Sequence, residues 1–286
     1  MNKRLWLMFA VVTTVFWGVW GAFIEIPEKA GFPATLGYSV WALTMMPCAL
    51  VALIIVHWRL EHDLRSVFLG STVGLLGAGG QLALFEALRL GPAYLVFPII
   101  SLYPVVTIFL SLTLLKERAS RRATVGIILA LLAMILLSYQ PPSGSAARGW
   151  LWLLLAICVF FMWGVQAYVM KFSNQTMKAE SIFFYMMATA VLLIPVALLM
   201  TDFSKTINWG FKGPYLAGLI QVLNSIGALC LVYAVRYGKA IVVVPMTSLA
   251  PVLTIVISLA IYGAIPHPVL IAGMIFATIA IYLLAE

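Results

Sequence analysis

Apolar residues follow one another along this chain in long runs, and the charged residues fall mostly between the runs. A helix needs roughly 20 apolar residues to cross the ~30 Å hydrocarbon layer of a membrane. Ten runs have about this length, and each predicts a transmembrane helix. They cover residues 5–25, 36–57, 66–88, 93–115, 121–139, 149–171, 181–200, 213–235, 240–262 and 266–285.

The composition supports an all-α integral membrane protein. Hydrophobic residues make up 64% of the chain and charged residues only 9%, whereas roughly half of an ordinary soluble domain is apolar. The connecting segments are too short for a catalytic or nucleotide-binding domain, and no GxxxxGK[ST] loop occurs. Cysteine and histidine are too scattered for a metal site or a disulfide framework. We therefore expect neither an enzyme nor a bound cofactor.

The distribution of Lys and Arg predicts the orientation of the chain in the membrane. With the N-terminus in the cytoplasm, twelve of these residues lie inside and five outside, as the positive-inside rule requires. Both termini are then cytoplasmic. The net charge of +8 is explained by this topology rather than by nucleic-acid binding. The first run has no cleavage site after it, so we expect a retained helix and not a signal peptide.

One stretch of the sequence occurs twice. Ala87–Ser111 and Ala234–Ser258 are identical at 13 of 25 positions when they are aligned at an offset of 147 residues. The matches include an arginine, a glycine and two prolines, which similarity between apolar segments alone would not produce. The duplication extends over the whole chain and predicts two five-helix repeats, residues 1–140 and 148–286.

An odd number of helices per repeat has a consequence for function. The second repeat must enter the membrane from the opposite side, so that the two repeats are inverted. Inverted repeats are typical of secondary transporters, in which exchange of the two repeat conformations opens a central site alternately to each side. We therefore expect a small-molecule carrier that works by alternating access.

Several features together resemble the EamA-like branch of the drug/metabolite transporter superfamily. They are the ten runs, the Trp17-Gly18 pair near the end of the first run, and the repeated ALRLGPAYLVFPIISLYPVVTIFLSLTLLKERAS pattern. The resemblance implies a carrier of the bacterial inner membrane with a central cavity. The family pattern also has a glutamate after the fourth and the ninth helix. Glu117 fits the first position, but Ala264 occupies the second, which implies a helix-end or loop anchor in one half only.

One face of the eighth run, with the i, i+3, i+4, i+7 spacing of a helix, carries the polar residues Gln221, Asn224 and Ser225, followed by Ala228. The repeat maps this face onto a glycine-rich face of the third run. We predict a substrate cavity lined by Gln81, Gln221 and Asn224, because an unpaired polar group inside a membrane is costly. The alternative is that these side chains form hydrogen bonds between helices.

Aromatic residues near the ends of the first and sixth runs are further candidates. Trp20 aligns with Gln166, and both could line the cavity, where an aromatic ring suits a flat or cationic solute. Trp163 is also a candidate contact, although it and Trp17 equally fit a packing role or an interfacial aromatic belt. In the repeated stretch, Tyr103 and Thr247 are the polar side chains most suited to contact a ligand.

Four prolines interrupt the fourth and ninth runs, and each removes a backbone donor. They are either hinges that move during transport or static kinks that shape the bundle. The hinge candidates are Pro98, Pro104, Pro245 and Pro251.

Charges near the helix ends have both a structural and a functional interpretation. Arg89 and Arg236 could bond the last carbonyls of their helices or bind an anion. Glu86 is three residues from Arg89, which predicts an ion pair, although coupling of transport to protons through Glu86 is an alternative. No acidic residue lies in the middle of a run, which disfavours an exporter of lipophilic cations.

We therefore predict a carrier for a small neutral or zwitterionic metabolite such as an amino acid, a sugar or a nucleobase. A multidrug or cationic-compound exporter and a lipid flippase are the alternatives. The expected partners are the solute, the lipid bilayer and protons as a candidate coupling ion, with no nucleic acid. The chain is expected to be a monomer or a homodimer.

Overall fold

The computed structural model describes residues 4–139, 149–262 and 267–285. These residues form helices and connecting loops and contain no strand. One turn of π-helix, Phe211–Tyr215, precedes α11. In chain order the helices are α1 Leu5–Phe23, α2 Glu25–Lys29, α3 Ala34–Ile55, α4 Leu64–Leu90, α5 Ala93–Ser101, α6 Tyr103–Thr113, α7 Arg121–Leu137, α8 Leu151–Ser173, α9 Ala179–Leu192, α10 Ile194–Leu199, α11 Leu216–Tyr237, α12 Ala240–Thr247, α13 Pro251–Tyr262 and α14 Pro268–Leu284.

Eight helical segments in the described ranges are long and apolar enough to cross a membrane. α14 is a shorter apolar helix of 17 residues, and α7 also has 17 residues. These two helices lie in the tenth and the fifth predicted run. The eight long segments are Leu5–Lys29, Ala34–Ile55, Leu64–Leu90, Ala93–Thr113, Leu151–Ser173, Ala179–Leu199, Phe211–Tyr237 and Ala240–Ile261.

In the described ranges, α4, α7 and α14 each begin after a residue whose side chain accepts a hydrogen bond from the first turn. The Asp63 carboxylate accepts from the Ser66 backbone N–H at 3.1 Å at the start of α4, and hydrogen bonds from Ser66 hold the pKa of Asp63 below its usual value. Ser120 accepts from Ala123 at 3.1 Å at the start of α7. These contacts satisfy donors that have no partner within their own helix.

The fourth and ninth runs are broken and not merely kinked. α5 and α6 meet at Leu102, and Ser248–Ala250 separate α12 from α13. Pro104 lies in the first turn of α6 and Pro251 is the first residue of α13. Proline is tolerated there because the first N–H groups of a helix have no partner within the helix. Of the four prolines predicted within the fourth and ninth runs, these two therefore lie at the start of a helical segment and not inside one.

Pro98 and Pro245 lie inside helices, as the sequence predicts. Pro98 is within α5, and Pro245 is within α12. Each leaves the carbonyl four residues earlier without its helical donor. Each short helix therefore lacks one of its internal hydrogen bonds.

The two halves of the chain contact each other in matching pairs. α4 packs against α8 and α9, and α11, its counterpart in the second half, packs against α1 and α3. α6 packs against α8, and correspondingly α13 packs against α1. α7 and α14 are counterparts of each other and pack together. Exchanging the two halves therefore preserves the main helix contacts.

Large apolar side chains remain exposed along most of the long helices, among them Ile54, Phe109 and Leu199. The fully buried positions between helices are instead rich in alanine, for example Ala42 and Ala130. Small residues at the contacts and large apolar residues outside are characteristic of helix bundles in lipid.

Candidate substrate-binding site

The central contacts of the bundle depend on glycines that face tryptophan rings. A Cβ atom at Gly80 would lie 2.5 Å from the Trp163 indole nitrogen, and one at Gly227 would lie 2.5 Å from that of Trp17. Gly80 and Gly227 are equivalent in the repeat, and so are the two tryptophans. The α4–α8 and α11–α1 contacts are therefore built in the same way.

The same two indole groups donate matching hydrogen bonds. Trp163 Nε1 donates to the Gly77 carbonyl at 3.3 Å, and Trp17 Nε1 donates to the Asn224 carbonyl at 3.3 Å. Gly77 and Asn224 occupy equivalent positions. Both tryptophans thus have a structural role, and Trp163 also packs edge-to-face with Tyr103 at 5.9 Å between ring centroids.

A second matched pair ties the broken spans to the long helices. Thr107 Oγ1 donates to the Gly164 carbonyl at 2.8 Å, and Thr254 Oγ1 donates to the Gly18 carbonyl at 2.9 Å. The two threonines are equivalent in the repeat, as are the two glycines. The Trp-Gly pair and the repeated stretch are therefore partners in one recurring contact.

The two amide side chains on the polar face of α11 are bonded to protein groups. Gln221 Oε1 accepts from Trp20 Nε1 at 3.0 Å and from Asn224 Nδ2 at 3.4 Å. Gln221 Nε2 donates to the Gly37 carbonyl at 3.2 Å, and only 5% of the residue is exposed. Gln221 therefore forms hydrogen bonds between helices, which is the alternative that the sequence left open. Trp20 and Asn224 are less buried and lie beside it.

Two other amides, Gln81 in α4 and Gln166 in α8, have no such partners. A Cβ atom at Gly77 would lie 2.3 Å from Gln166 Nε2, so this amide lies directly against α4. Gln81 is one helical turn further along α4, on the face of Gly77. Neither amide forms a hydrogen bond with any other residue that the structure describes, and both side chains are half-buried. In the described structure, the amides of Gln81 and Gln166 are thus not occupied by bonds to the protein.

The two candidates from the repeated stretch differ in what they contact. The Tyr103 hydroxyl lies 2.8 Å from the Ser248 hydroxyl, between the two halves. The Thr247 hydroxyl donates to the Val243 and Val244 carbonyls of its own helix at 3.1 Å each, and the residue is only 1% exposed. Tyr103 thus lies beside Trp163 in the central region, whereas Thr247 is occupied within α12.

The charged candidates lie at helix ends and are paired. Arg89 Nε donates to Glu86 at 2.8 Å, and a second bond joins Arg89 Nη2 to the same carboxylate. Arg236 Nη1 donates to the Met177 carbonyl in the loop between α8 and α9 at 2.9 Å. Arg236 thus anchors a neighbouring loop, rather than the carbonyls of its own helix as expected from the sequence. In the described ranges no group of three or more metal-ligating side chains occurs.

Sequence reasoning missed Trp41 in α3. Its indole N–H is buried without a hydrogen-bond partner among the described residues. One turn along, the Thr44 hydroxyl lies 2.9 Å from the Ser225 hydroxyl, which is on the polar face of α11. The second and seventh runs align weakly, so the repeat gave no signal for Trp41. Its position in an apolar run next to the polar face of α11 adds it to the candidate site.

The apolar helices and the matching contacts of the two halves are those of a multi-pass membrane protein. The sequence profile of the EamA-like transporter family matches residues 4–139 and, a second time, residues 150–285. The chain therefore belongs to the EamA-like transporter family, and the resemblance found in the sequence is confirmed. As a member it is a multi-pass membrane transporter of small compounds.

Two known proteins are similar to this chain over most of its length. Protein LicB of Haemophilus influenzae is 24% identical over 241 residues, which cover 82% of this chain and 81% of LicB. A crystal structure of a further protein superimposes with a TM-score of 0.76 and 16% identity, covering 96% of this chain and 97% of the other. The latter similarity supports the fold alone.

Proposed function

We propose that this protein is a secondary transporter that carries a small neutral or zwitterionic metabolite across the bacterial inner membrane by alternating access. In this proposal residues 1–140 and 148–286 are inverted five-helix repeats, and both termini are cytoplasmic. The recurrence of the Thr107–Gly164 contact as Thr254–Gly18 supports two repeats that can exchange conformations.

The proposed substrate class, a neutral or zwitterionic solute, is inferred from the two amides Gln81 and Gln166. Each amide offers a donor and an acceptor without a net charge, and neither has a partner among the described residues. Because both amides are half-buried and not bonded to the protein, a solute with its own donors and acceptors could bond to them directly. Amino acids, sugars and nucleobases carry such groups. Trp20, Tyr103 and Asn224 would contact the rest of the solute.

The positions of the acidic residues support a solute without net positive charge. Glu86, the acidic residue of α4, is paired with Arg89. Glu61, Asp63 and Glu117 lie in loops. In the described ranges no acidic residue lies in the middle of a long helix, so a lipophilic cation would have no carboxylate to pair with there, which disfavours a cation exporter.

Reconstituted vesicles provide the test. Purified protein is incorporated into liposomes that are preloaded with mixtures of unlabelled amino acids, sugars or nucleobases, and counterflow of the labelled solutes is measured. We expect saturable uptake of at least one neutral or zwitterionic solute. Gln81→Leu should abolish it, while Gln175→Leu, which alters an exposed amide after α8, should leave it unchanged.

The alternatives give different results in the same vesicles. Scrambling of labelled lipid without flux of any water-soluble solute would identify a flippase. Uptake confined to organic cations would identify a cationic-compound exporter, with the edge-to-face rings of Tyr103 and Trp163 as the cation contact. A pH gradient that drives uptake in the wild type but not in Glu86→Gln would assign coupling to protons.

A further inference from the structure

The two short helices that open the broken spans are equivalent in the repeat, but their environments differ. In α12 every residue except Val242 is buried. In α5 only Val96 and Ile100 are buried. Equivalent segments with unequal burial indicate that the two repeats have different conformations. α12 and α5 begin at opposite ends of the bundle, so the difference in burial is a difference between these two ends.

The helix contacts locate this difference. α12 packs against α6, α7 and α8. The equivalent contacts of α5 would be with α13, α14 and α1, and none of comparable extent is present in the described ranges. Other contacts of the two helices do match, since α12 packs against α1 and α14 as α5 packs against α8 and α7. The bundle is thus closed at the end where α12 begins and is not closed in the same way at the opposite end.

One carboxylate joins the elements that meet at the closed end. Glu117, in the loop between α6 and α7, accepts from the Ile241 backbone N–H in the first turn of α12 at 3.2 Å. Its other oxygen lies 3.9 Å from Lys171 Nζ, and the Glu117 side chain is only 9% exposed. Lys171 in turn donates to the Val235 carbonyl at 2.9 Å and to the Gly238 carbonyl. We call Glu117, Lys171 and the Ile241 N–H the latch.

The opposite end lacks the residues for an equivalent latch. At the repeat offsets of 147 and 146 residues, Glu117 corresponds to Ala264 and Lys171 corresponds to Glu25. Ala264 lies outside the described residues, but alanine has no carboxylate to offer. Glu25 is largely exposed and is paired with Lys29. The latch can therefore form at one end only.

We propose that Glu117 is a positioning residue of the transport cycle, whose latch holds the α12 end closed and biases the bundle toward the conformation that is open at the α5 end. The proposal rests on the proposed alternating-access function. A contact that is formed in only one of two conformations shifts their populations by its differential free energy. With the N-terminus in the cytoplasm, the α12 end is the cytoplasmic one, and the solute-free carrier would await its solute from outside.

Hydrogen–deuterium exchange of the full-length protein in lipid nanodiscs tests this proposal without a known substrate. In the wild type we expect amides of α12 to exchange about tenfold more slowly than those of α5, since exchange reports local opening. Glu117→Ala should accelerate exchange in α12 and, because the other conformation becomes more populated, slow it in α5. The change in α5 is the decisive readout, since loss of a local cap alone would alter α12 and leave α5 unchanged. Lys171→Met should have the same effects and replaces Glu117→Ala if that variant does not fold.

Glu61 supplies a matched control. Its carboxylate accepts from the Lys178 backbone N–H at 3.2 Å, just before α9, as that of Glu117 accepts from Ile241. The α4–α9 contact that it supports recurs at the other end as α11–α3. Glu61→Ala should therefore leave the ratio of α12 to α5 exchange within about twofold of the wild type.

Moving the latch provides a gain-of-function test. Ala264→Glu combined with Glu25→Lys, in a chain that also carries Glu117→Ala, should slow exchange in α5 and accelerate it in α12. Equal exchange in α5 and α12 of the wild type, or an unchanged ratio in both Glu117→Ala and Lys171→Met, would overturn the latch. If the wild-type protein carries no solute in vesicles, but Glu117→Ala still accelerates deuterium exchange in α12 and slows it in α5, the proposed function is overturned and the two-state latch is not.

Discussion

The Tyr103 hydroxyl donates a hydrogen bond to the Ser248 hydroxyl across the two halves of the bundle, at 2.8 Å. The direction follows from Ser248, whose single proton is directed at the Val244 carbonyl at 2.8 Å. At the equivalent positions the chain has Ala250 and Ser101, and alanine cannot repeat the contact. The start of α6 is therefore tied to the end of α12 by a bond that has no counterpart.

Tyr103→Phe tests the contribution of this bond. Ser248 keeps its bond to Val244, so no buried donor is left unpaired, and we expect a loss of only about 0.6 kcal/mol in folding stability, typical of interhelical bonds in membranes. Denaturation in mixed detergent measures the loss. Tyr94→Phe is the control, because its hydroxyl has no hydrogen bond in the described structure. Equal losses in the two variants would remove the Tyr103–Ser248 bond as the cause.

Thr107→Val and Thr254→Val test the repeat at the level of single contacts. Each removes one hydroxyl bond to a helix carbonyl, at 2.8 Å from Gly164 and at 2.9 Å from Gly18. We expect similar losses of about 0.6 kcal/mol from both, measured by the same denaturation. Thr278→Val, which alters an exposed threonine bonded within its own helix, should have little effect. A large loss from only one of the pair would show that the two contacts are not equivalent.

The repeat made these paired contacts partly predictable from the sequence. Thr107 and Thr254, like Trp17 and Trp163, are identical residues at equivalent positions, so a contact formed by one predicts an equivalent contact for the other. The sequence did not predict that each threonine bonds the glycine of the Trp-Gly pair. Such partners depend on how the helices cross, and an alignment of the two halves does not contain that information.

The polar candidates were less predictable because equivalent positions hold different residues. Gln221 corresponds to Gly74, and Trp20 corresponds to Gln166. The helical spacing placed Gln221 on a polar face, but only the fold shows that Trp20 and the Gly37 carbonyl satisfy its amide. Likewise, the prolines predicted disturbed helices, but the helix ends decide whether the result is a kink or a break.

Gly80→Ala and Gly227→Ala should be among the most damaging small substitutions. In each a new Cβ atom would lie 2.5 Å from an indole nitrogen, so the ring must move and its hydrogen bond is lost. Overpacking of this kind costs about 1–3 kcal/mol, measured as a lower melting temperature in detergent. Gly79→Ala and Gly218→Ala are controls on the same two helices. Their nearest contacts would be a flexible Met162 methyl at 3.2 Å and Val40 at 3.8 Å. Melting temperatures equal to those of the controls would contradict the close packing.

Gln166→Leu and Gln221→Leu should separate solute binding from folding. Gln221 has bonds to Trp20, Asn224 and Gly37, and its replacement leaves their polar groups unpaired, which costs about 1–3 kcal/mol for each buried group. We expect a lower melting temperature for Gln221→Leu. Gln166 has no such bond to lose, so Gln166→Leu should keep the melting temperature of the wild type while counterflow is abolished.

Asn224→Leu completes this series, because its amide lies beside Gln221 at 3.4 Å and is only half-buried. We expect loss of counterflow with expression and assembly intact, since the bond between the two amides is long and therefore weak. The measurements are vesicle counterflow, the melting temperature and the yield of folded protein for each variant. Unchanged counterflow in Asn224→Leu would remove the polar face of α11 from the site and leave Gln81 and Gln166. Unchanged counterflow in Gln166→Leu would place the solute elsewhere in the bundle.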